Sequence, residues 1–302
     1  MYNLLMHVTG LGQCSLDYLS LVDVYPEVDT KKEVLEWHEQ GGGPVATALV
    51  ALSRLGVSCC FYGVTGDDEA GEKIRQSLAA EGLDLRGLVQ RKESTSQLAF
   101  IATEKKTAKR TIFWRRPSGK ALQPDELGEN FLSGSDFLLV DGLMMDASVS
   151  AVKRAREMNI PSMLDAGSVR QGMIRLAGLC DYVVASEAFA EGLGWILKPE
   201  ALLKEFKTLR ASALTVTQGE KGSITVSDDR TIRMPAFTVE VVDTTGAGDV
   251  FHAGYIYGLL QRWDLERVLR LASAVAAMKC GGIGGRTGIP ALEEVVEFLR
   301  VR

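Results

Sequence analysis

The sequence has no C-x-x-C pair, no long basic run and no apolar stretch long enough to span a membrane, and each gap removes a class of function. Its three histidines, His7, His38 and His252, are dispersed. The five cysteines, Cys14, Cys59, Cys60, Cys180 and Cys280, are odd in number and include one adjacent pair. Neither set has metal-ligand spacing, and the cysteines fit a reducing compartment better than a disulfide framework. A net charge of -5 over 302 residues argues against a nucleic-acid binder, because phosphate backbones are held by clustered Lys and Arg. Residues 1–9 carry no basic leader and no small-residue cleavage site, so the expectation is a first strand over residues 4–9, no membrane and a cytoplasmic location.

What remains is an ordinary globular composition, 46% hydrophobic and 24% charged, of a length that suits one α/β domain with an extra lobe. From residue 136 onward strand and helix patterns alternate, which argues for a parallel sheet covered by helices. Residues 18–39 and 94–116 alternate more loosely, and the second stretch reads as a hairpin around a charged turn at 104–109. Together they predict a small sheet over the site. The chain is therefore read as a single domain, 1–302, with lid segments at about 17–40 and 93–118 inserted in it.

The chemistry concentrates at residues 241–254, V-V-D-T-T-G-A-G-D-V-F-H-A-G, where strand-like residues give way to small ones and then to an apolar helix pattern. Successive small residues at Gly246, Ala247 and Gly248 let backbone N–H groups converge, and the helix start adds its free amides and dipole. That is an anion hole. Asp249 follows in the first turn, where a carboxylate can take a proton from a hydroxyl attacking the bound anion. A bare G-x-G-D is also explained by an Asp favoured near a helix start. Two other glycine patterns compete. Gly10-Leu11-Gly12-Gln13-Cys14-Ser15 is two-thirds of a dinucleotide fingerprint, but a strand-like stretch follows it in place of a helix. Residues 66–73 have G-x-x-x-x-G without the Lys and Ser or Thr of a P-loop, and read as an acidic helix start.

The string around Asp249 closely resembles the second signature of the ribokinase-like (PfkB) sugar kinases, D-T-x-G-A-G-D opening a helix. The run Gly41-Gly42-Gly43-Pro44-Val45-Ala46-Thr47-Ala48, followed by Leu55-Gly56 and residues 63–68, resembles the first signature, although many members have Asn where this chain has Ala46. The resemblance implies Asp249 as catalytic base, Gly246, Ala247 and Gly248 as anion hole, and Asp17 with Gly41, Gly42 and Gly43 as sugar-binding positions. It implies nucleotide contacts at Thr217, Gly219 and Gly222, a T-x-G-x-x-G turn, and an adenine approach at Gly281. The N-x-x-E that supports Mg2+ through water reads Ser186 and Phe189 here, which leaves Glu187 as the substitute. Asp243 and Thr245, with carbonyls near residues 281–285, become ligands of a monovalent cation, K+. Arg115, with Arg116 and Lys31 or Lys32, would favour an acidic or phosphorylated substrate, unless these charges are simply solvated. The implied fold is a ribokinase-like three-layer α/β/α domain with a mostly parallel central sheet and a small β-sheet lid, paired as a homodimer through the lid. The implied activity is ATP-dependent, Mg2+-assisted phosphorylation of a hydroxyl on a sugar or sugar derivative. An NAD-dependent oxidoreductase using residues 10–15, and a non-catalytic sugar or nucleotide sensor, are the alternatives.

Overall fold

Aliphatic and β-branched runs closed by glycine or acidic residues give most of the strands. The computed structural model describes residues 6–228 and 230–302. Its strands are β1 (His7–Leu11), β2 (Ser15–Val22), β3 (Glu36–Gly42), β4 (Ser58–Gly66), β5 (Asp84–Arg91), β6 (Leu98–Glu104), β7 (Arg110–Arg115), β8 (Phe137–Val140), β9 (Ser162–Ala166), β10 (Tyr182–Ser186), β11 (Ala213–Thr217), β12 (Ser223–Ser227) and β13 (Arg230–Met234). The helices are α1 (Pro44–Arg54), α2 (Glu69–Ala80), α3 (Met145–Glu157), α4 (Met173–Ala177), α5 (Glu187–Gly192), α6 (Pro199–Leu209), α7 (Ala247–Leu260), α8 (Leu265–Lys279) and α9 (Leu292–Arg300). The start of the expected first strand, residues 4–5, lies outside the described residues.

Nine strands form one sheet in the order β13-β12-β11-β10-β9-β8-β1-β4-β5. From β11 to β5 all neighbours are parallel, and β12 and β13 reverse direction at one end. Parallel strands covered on both faces must be apolar on both. In β8, Phe137 and Leu139 join the core shared with α1, α2, α7, α8 and α9, while Leu138 and Val140 join the core shared with α3 to α6. Burying each such side chain stabilises the fold by about 1.5–3 kcal/mol. The result is the expected three-layer α/β/α arrangement.

Helix α7 lies in the first of these cores and is buried from Val250 to Gly258, so it is apolar all round. Its glycines admit α8 at close range: a Cβ on Gly254 would sit 2.8 Å from the Ala272 Cα, and one on Gly258 3.0 Å from the Val268 Cα. This packing fixes where the helix N-terminus points.

The second sheet has the order β3-β2-β6-β7. The expected strand region at 18–39 resolves into β2 and β3, with the charge-rich residues 23–35 between them outside regular structure. Register sets its two faces. Asp17 pairs with Gln40 and Ala99, Ile101 with Ile112, and Thr103 with Arg110 on one face; Tyr18 pairs with Phe100, and Phe100 with Phe113, on the other.

Candidate active site

Parallel strands bring their carboxyl ends to one edge of a sheet, where α/β proteins bind ligands. The order β1, β8, β9, β10, β11 therefore lines up Gly12, Asp141, Asp165, Ser186 and Thr217 along that edge. Asp141 is buried and accepts from the Gln13 amide at 2.7 Å and the Leu143 amide at 2.8 Å. Burial still pushes its carboxyl up to about 6. Gly10 and Gly12 serve this packing: a Cβ on Gly10 would meet Val45 and Leu49, and one on Gly12 would strike Asp141. The chain then enters β2, so the dinucleotide-like glycines open no helix.

Residues 243–249 cross this edge and divide into two halves. In the first, the Asp243 carboxyl is tied to the loops around it. Asp243 is fully buried; its Oδ1 accepts from the Thr245 amide at 2.9 Å and the Thr245 hydroxyl at 2.8 Å, and its Oδ2 accepts from the Gly284 amide at 2.7 Å. The second half is open. Gly246 caps α7 with φ 76°, a left-handed conformation, and a Cβ there would lie 2.7 Å from the Gly285 Cα. The Ala247 amide turns back to the Thr244 carbonyl at 3.2 Å, so it is spent within the turn. The amides of Gly246, Gly248 and Asp249 have no partner among the described residues. Space in front of Gly248 is clear of protein to 4 Å.

Asp249 is half-buried, with protein crowding its carboxyl. Loss of solvent, then the negative charge of Asp165, raises its pKa well above the usual carboxylate range; Arg110 opposes the shift, and Asp17 and Asp141 add to it. His252, one turn on, is buried, with Nδ1 3.6 Å from Asp165 Oδ2, and neither atom has a hydrogen-bond partner among the described residues. One ligand atom each from Asp165, Asp249 and His252 lie within 4.8 Å of one another, a spacing that a single cation could bridge.

Asp17 approaches from the lid and is buried, its carboxyl held by the Ser15 hydroxyl at 2.6 Å and its pKa raised by burial. A side chain on Gly42 would collide with it, and one on Gly41 would collide with Arg286. Arg286, which sequence reasoning missed, is buried; it donates to Ser77 Oγ at 3.0 Å and to the Gly42 carbonyl at 3.2 Å, bracing the glycines that end β3. Gly43 caps α1 at φ 96°. From the far edge of the lid, Arg110 reaches the Thr244 hydroxyl at 2.5 Å. Arg115, the arginine singled out from sequence, pairs with Leu98 on the face that carries Phe100 and Phe113, so the strand turns it away from Asp249. Alternation in β7 gives the inward place to Arg110.

Farther along the edge, Thr217 closes β11 and donates to the Ala185 carbonyl at 3.3 Å, while Gly219 and Gly222 shape the turn after it. Glu187 opens α5 beside this turn, its Oε1 accepting from Gln218 Nε2 and Lys221 Nζ, each at 3.3 Å. Gly281 follows α8, its amide bonded to the Met278 carbonyl at 3.1 Å.

The sequence model of the pfkB family of carbohydrate kinases matches residues 7–292. The chain belongs to that family. It is 27% identical to the ATP-dependent ribose-1-phosphate kinase of Halopiger xanaduensis, across 99% of each chain. It is 26% identical to the ribokinase of Bacillus subtilis, across 97% of this chain and 99% of that one. A solved structure from Agrobacterium tumefaciens, 27% identical, superposes with a TM-score of 0.90 over 98% of each chain.

As a member of the pfkB family the chain is a phosphotransferase, and its departures from the family pattern acquire physical meaning. Ala46 is fully buried in α1, so that position offers no polar contact to a sugar. Phe189 is fully buried, and Ser186 caps α5 by accepting from the Phe189 amide at 3.0 Å, so neither is free to support a metal through water. Glu187, the acidic residue named for that task, lies beside the turn that follows β11.

Proposed function

We propose that this enzyme transfers the γ-phosphoryl group of ATP to a hydroxyl of a sugar or sugar derivative, with Asp249 as general base and the amides of Gly246, Gly248 and Asp249 as the anion hole. The observation that carries the reading is the juxtaposition, at one helix start, of three uncommitted N–H donors with a carboxyl whose pKa is raised toward the working range of a base. Asp249 takes the proton of the acceptor hydroxyl as its oxygen attacks the γ-phosphorus, the bond to the β,γ-bridging oxygen breaks, and ADP leaves. Asp17 and the Gly41–Gly43 turn orient the sugar. Thr217, Gly219, Gly222 and Gly281 lie along the nucleotide side. Mg2+, supported by Glu187 through water, would neutralise the phosphates. The Arg110–Thr244 contact favours a lid that closes over the transferring phosphate and excludes water.

The lid's outer face exposes Trp37 (56%), Phe100 (50%) and Phe113 (66%), which supports pairing of two chains through that face. Among the described residues no helix is long and apolar enough to cross a membrane, and the reading places the enzyme in the cytoplasm. An ADP-release assay over phosphate-bearing, acidic and neutral sugars tests the function. At least one sugar should drive ADP formation. ATP binding without ADP release across the panel would point to a sensor, and tight NAD binding without ATP binding to an oxidoreductase.

A further inference from the structure

Behind the anion hole, the segment entering Asp243, outside regular structure, runs beside the loop that follows α8. The amides of Val242 and Asp243 donate to the Cys280 carbonyl at 2.8 and 3.2 Å, and the Gly284 amide reaches Asp243 Oδ2. Asp243, Thr245 and the carbonyls of this loop are the positions at which the resemblance implies K+. Such an ion needs a shell of oxygen atoms free to face it. Both carboxyl oxygens of Asp243 already accept hydrogen bonds, Oδ1 from Thr245 and Oδ2 from the Gly284 amide. The space between the two loops holds Lys279, the last residue of α8, fully buried, whose Nζ donates to the Asp243 carbonyl at 2.8 Å and to the Gly282 carbonyl at 3.4 Å. The oxygen donors present therefore do not fit a free monovalent cation.

We infer that the Lys279 ammonium is a tethered substitute for that cation: one positive charge, held by the chain, that joins the two loops and sets the anion hole in place. Physical necessity supports it. A buried Asp243 carboxylate needs a compensating charge nearby, and the carbonyls of Asp243 and Gly282 need donors. Burial disfavours the charged amine, while Asp243 favours it. Lys279 touches neither reacting group, so it is a positioning residue. Its consequence for the reaction is that the enzyme does not depend on added K+.

This rests on the kinase reading, and the experiment separates the two. Turnover, and ATP affinity by calorimetry, are measured for the wild type in KCl and in choline chloride at equal ionic strength; both should agree within about twofold. Lys279→Ala in choline should lose turnover on the order of 10²-fold, the scale of a disturbed anion hole. K+, ammonium or ethylammonium, but not choline, should restore about tenfold or more of that loss. A wild type that K+ activates tenfold, or a Lys279→Ala enzyme fully active in choline, would overturn the inference. If Lys279→Ala does not fold, the wild-type salt comparison alone decides. Absence of turnover in every salt would count against the kinase reading, while ATP affinity in the two salts would still report on Lys279.

Discussion

The two halves of residues 243–249 contain the same kinds of group in opposite states. Asp243 and Asp249 are six residues apart, yet the first has each oxygen bonded by backbone or hydroxyl donors and the second has carboxylates for neighbours. Likewise the Thr245 amide is committed, and those of Gly246, Gly248 and Asp249 are not. A satisfied buried network is rigid, and an unsatisfied polar cluster is costly unless something else supports it. In the proposed mechanism the closed half is the frame that holds the open half ready for a ligand.

Breaking the frame should have the largest effect on the fold. Asp243→Ala strands the Thr245 and Gly284 donors and removes a buried charge; it should cost about 3–5 kcal/mol, read as a lower urea midpoint, with activity lost alongside. Gly246→Ala sits at the junction and should cost about 2–4 kcal/mol, from the left-handed φ and the contact with Gly285. Gly248→Ala sharpens the contrast. Its Cβ meets no protein atom, so the melting temperature should stay within about 2 °C while kcat/KM falls. The subtlest effect is on pH. As the proposed base Asp249 would work as the carboxylate, so kcat/KM should rise with pH through its raised pKa. Asp165→Asn removes a negative neighbour and lowers that pKa, so the acid limb of the profile should move to lower pH.

The open half was legible because it is contiguous: small residues, acid and apolar helix follow one another in the chain, while the strand-like residues 241 and 242 before them lie outside regular structure. The parallel sheet was legible from its alternation with helices. What was not legible depends on contacts between distant residues. Arg110 meets Thr244 across 134 positions, and only strand register decides that it, and not Arg115, faces inward. Lys279 looks in sequence like an ordinary basic residue at a helix end, and only the crossing of two loops buries it. Arg286 is hidden in the same way, in a glycine-rich segment that suggests flexibility. Strand β5, on the sheet's edge, carries Asp84, Arg86, Gln90 and Arg91, so its pattern is too polar to stand out.

Asp249→Asn, compared with wild type for kcat and for ATP affinity by calorimetry, tests the division between frame and mouth most directly. The raised pKa means that the folded state loses stability as pH climbs from the ordinary carboxylate range toward that pKa, so at pH 7 the neutral amide should raise the melting temperature. ATP affinity should stay within about threefold while kcat falls by about 10³-fold or more. A variant that turns over at near the wild-type rate would contradict the account.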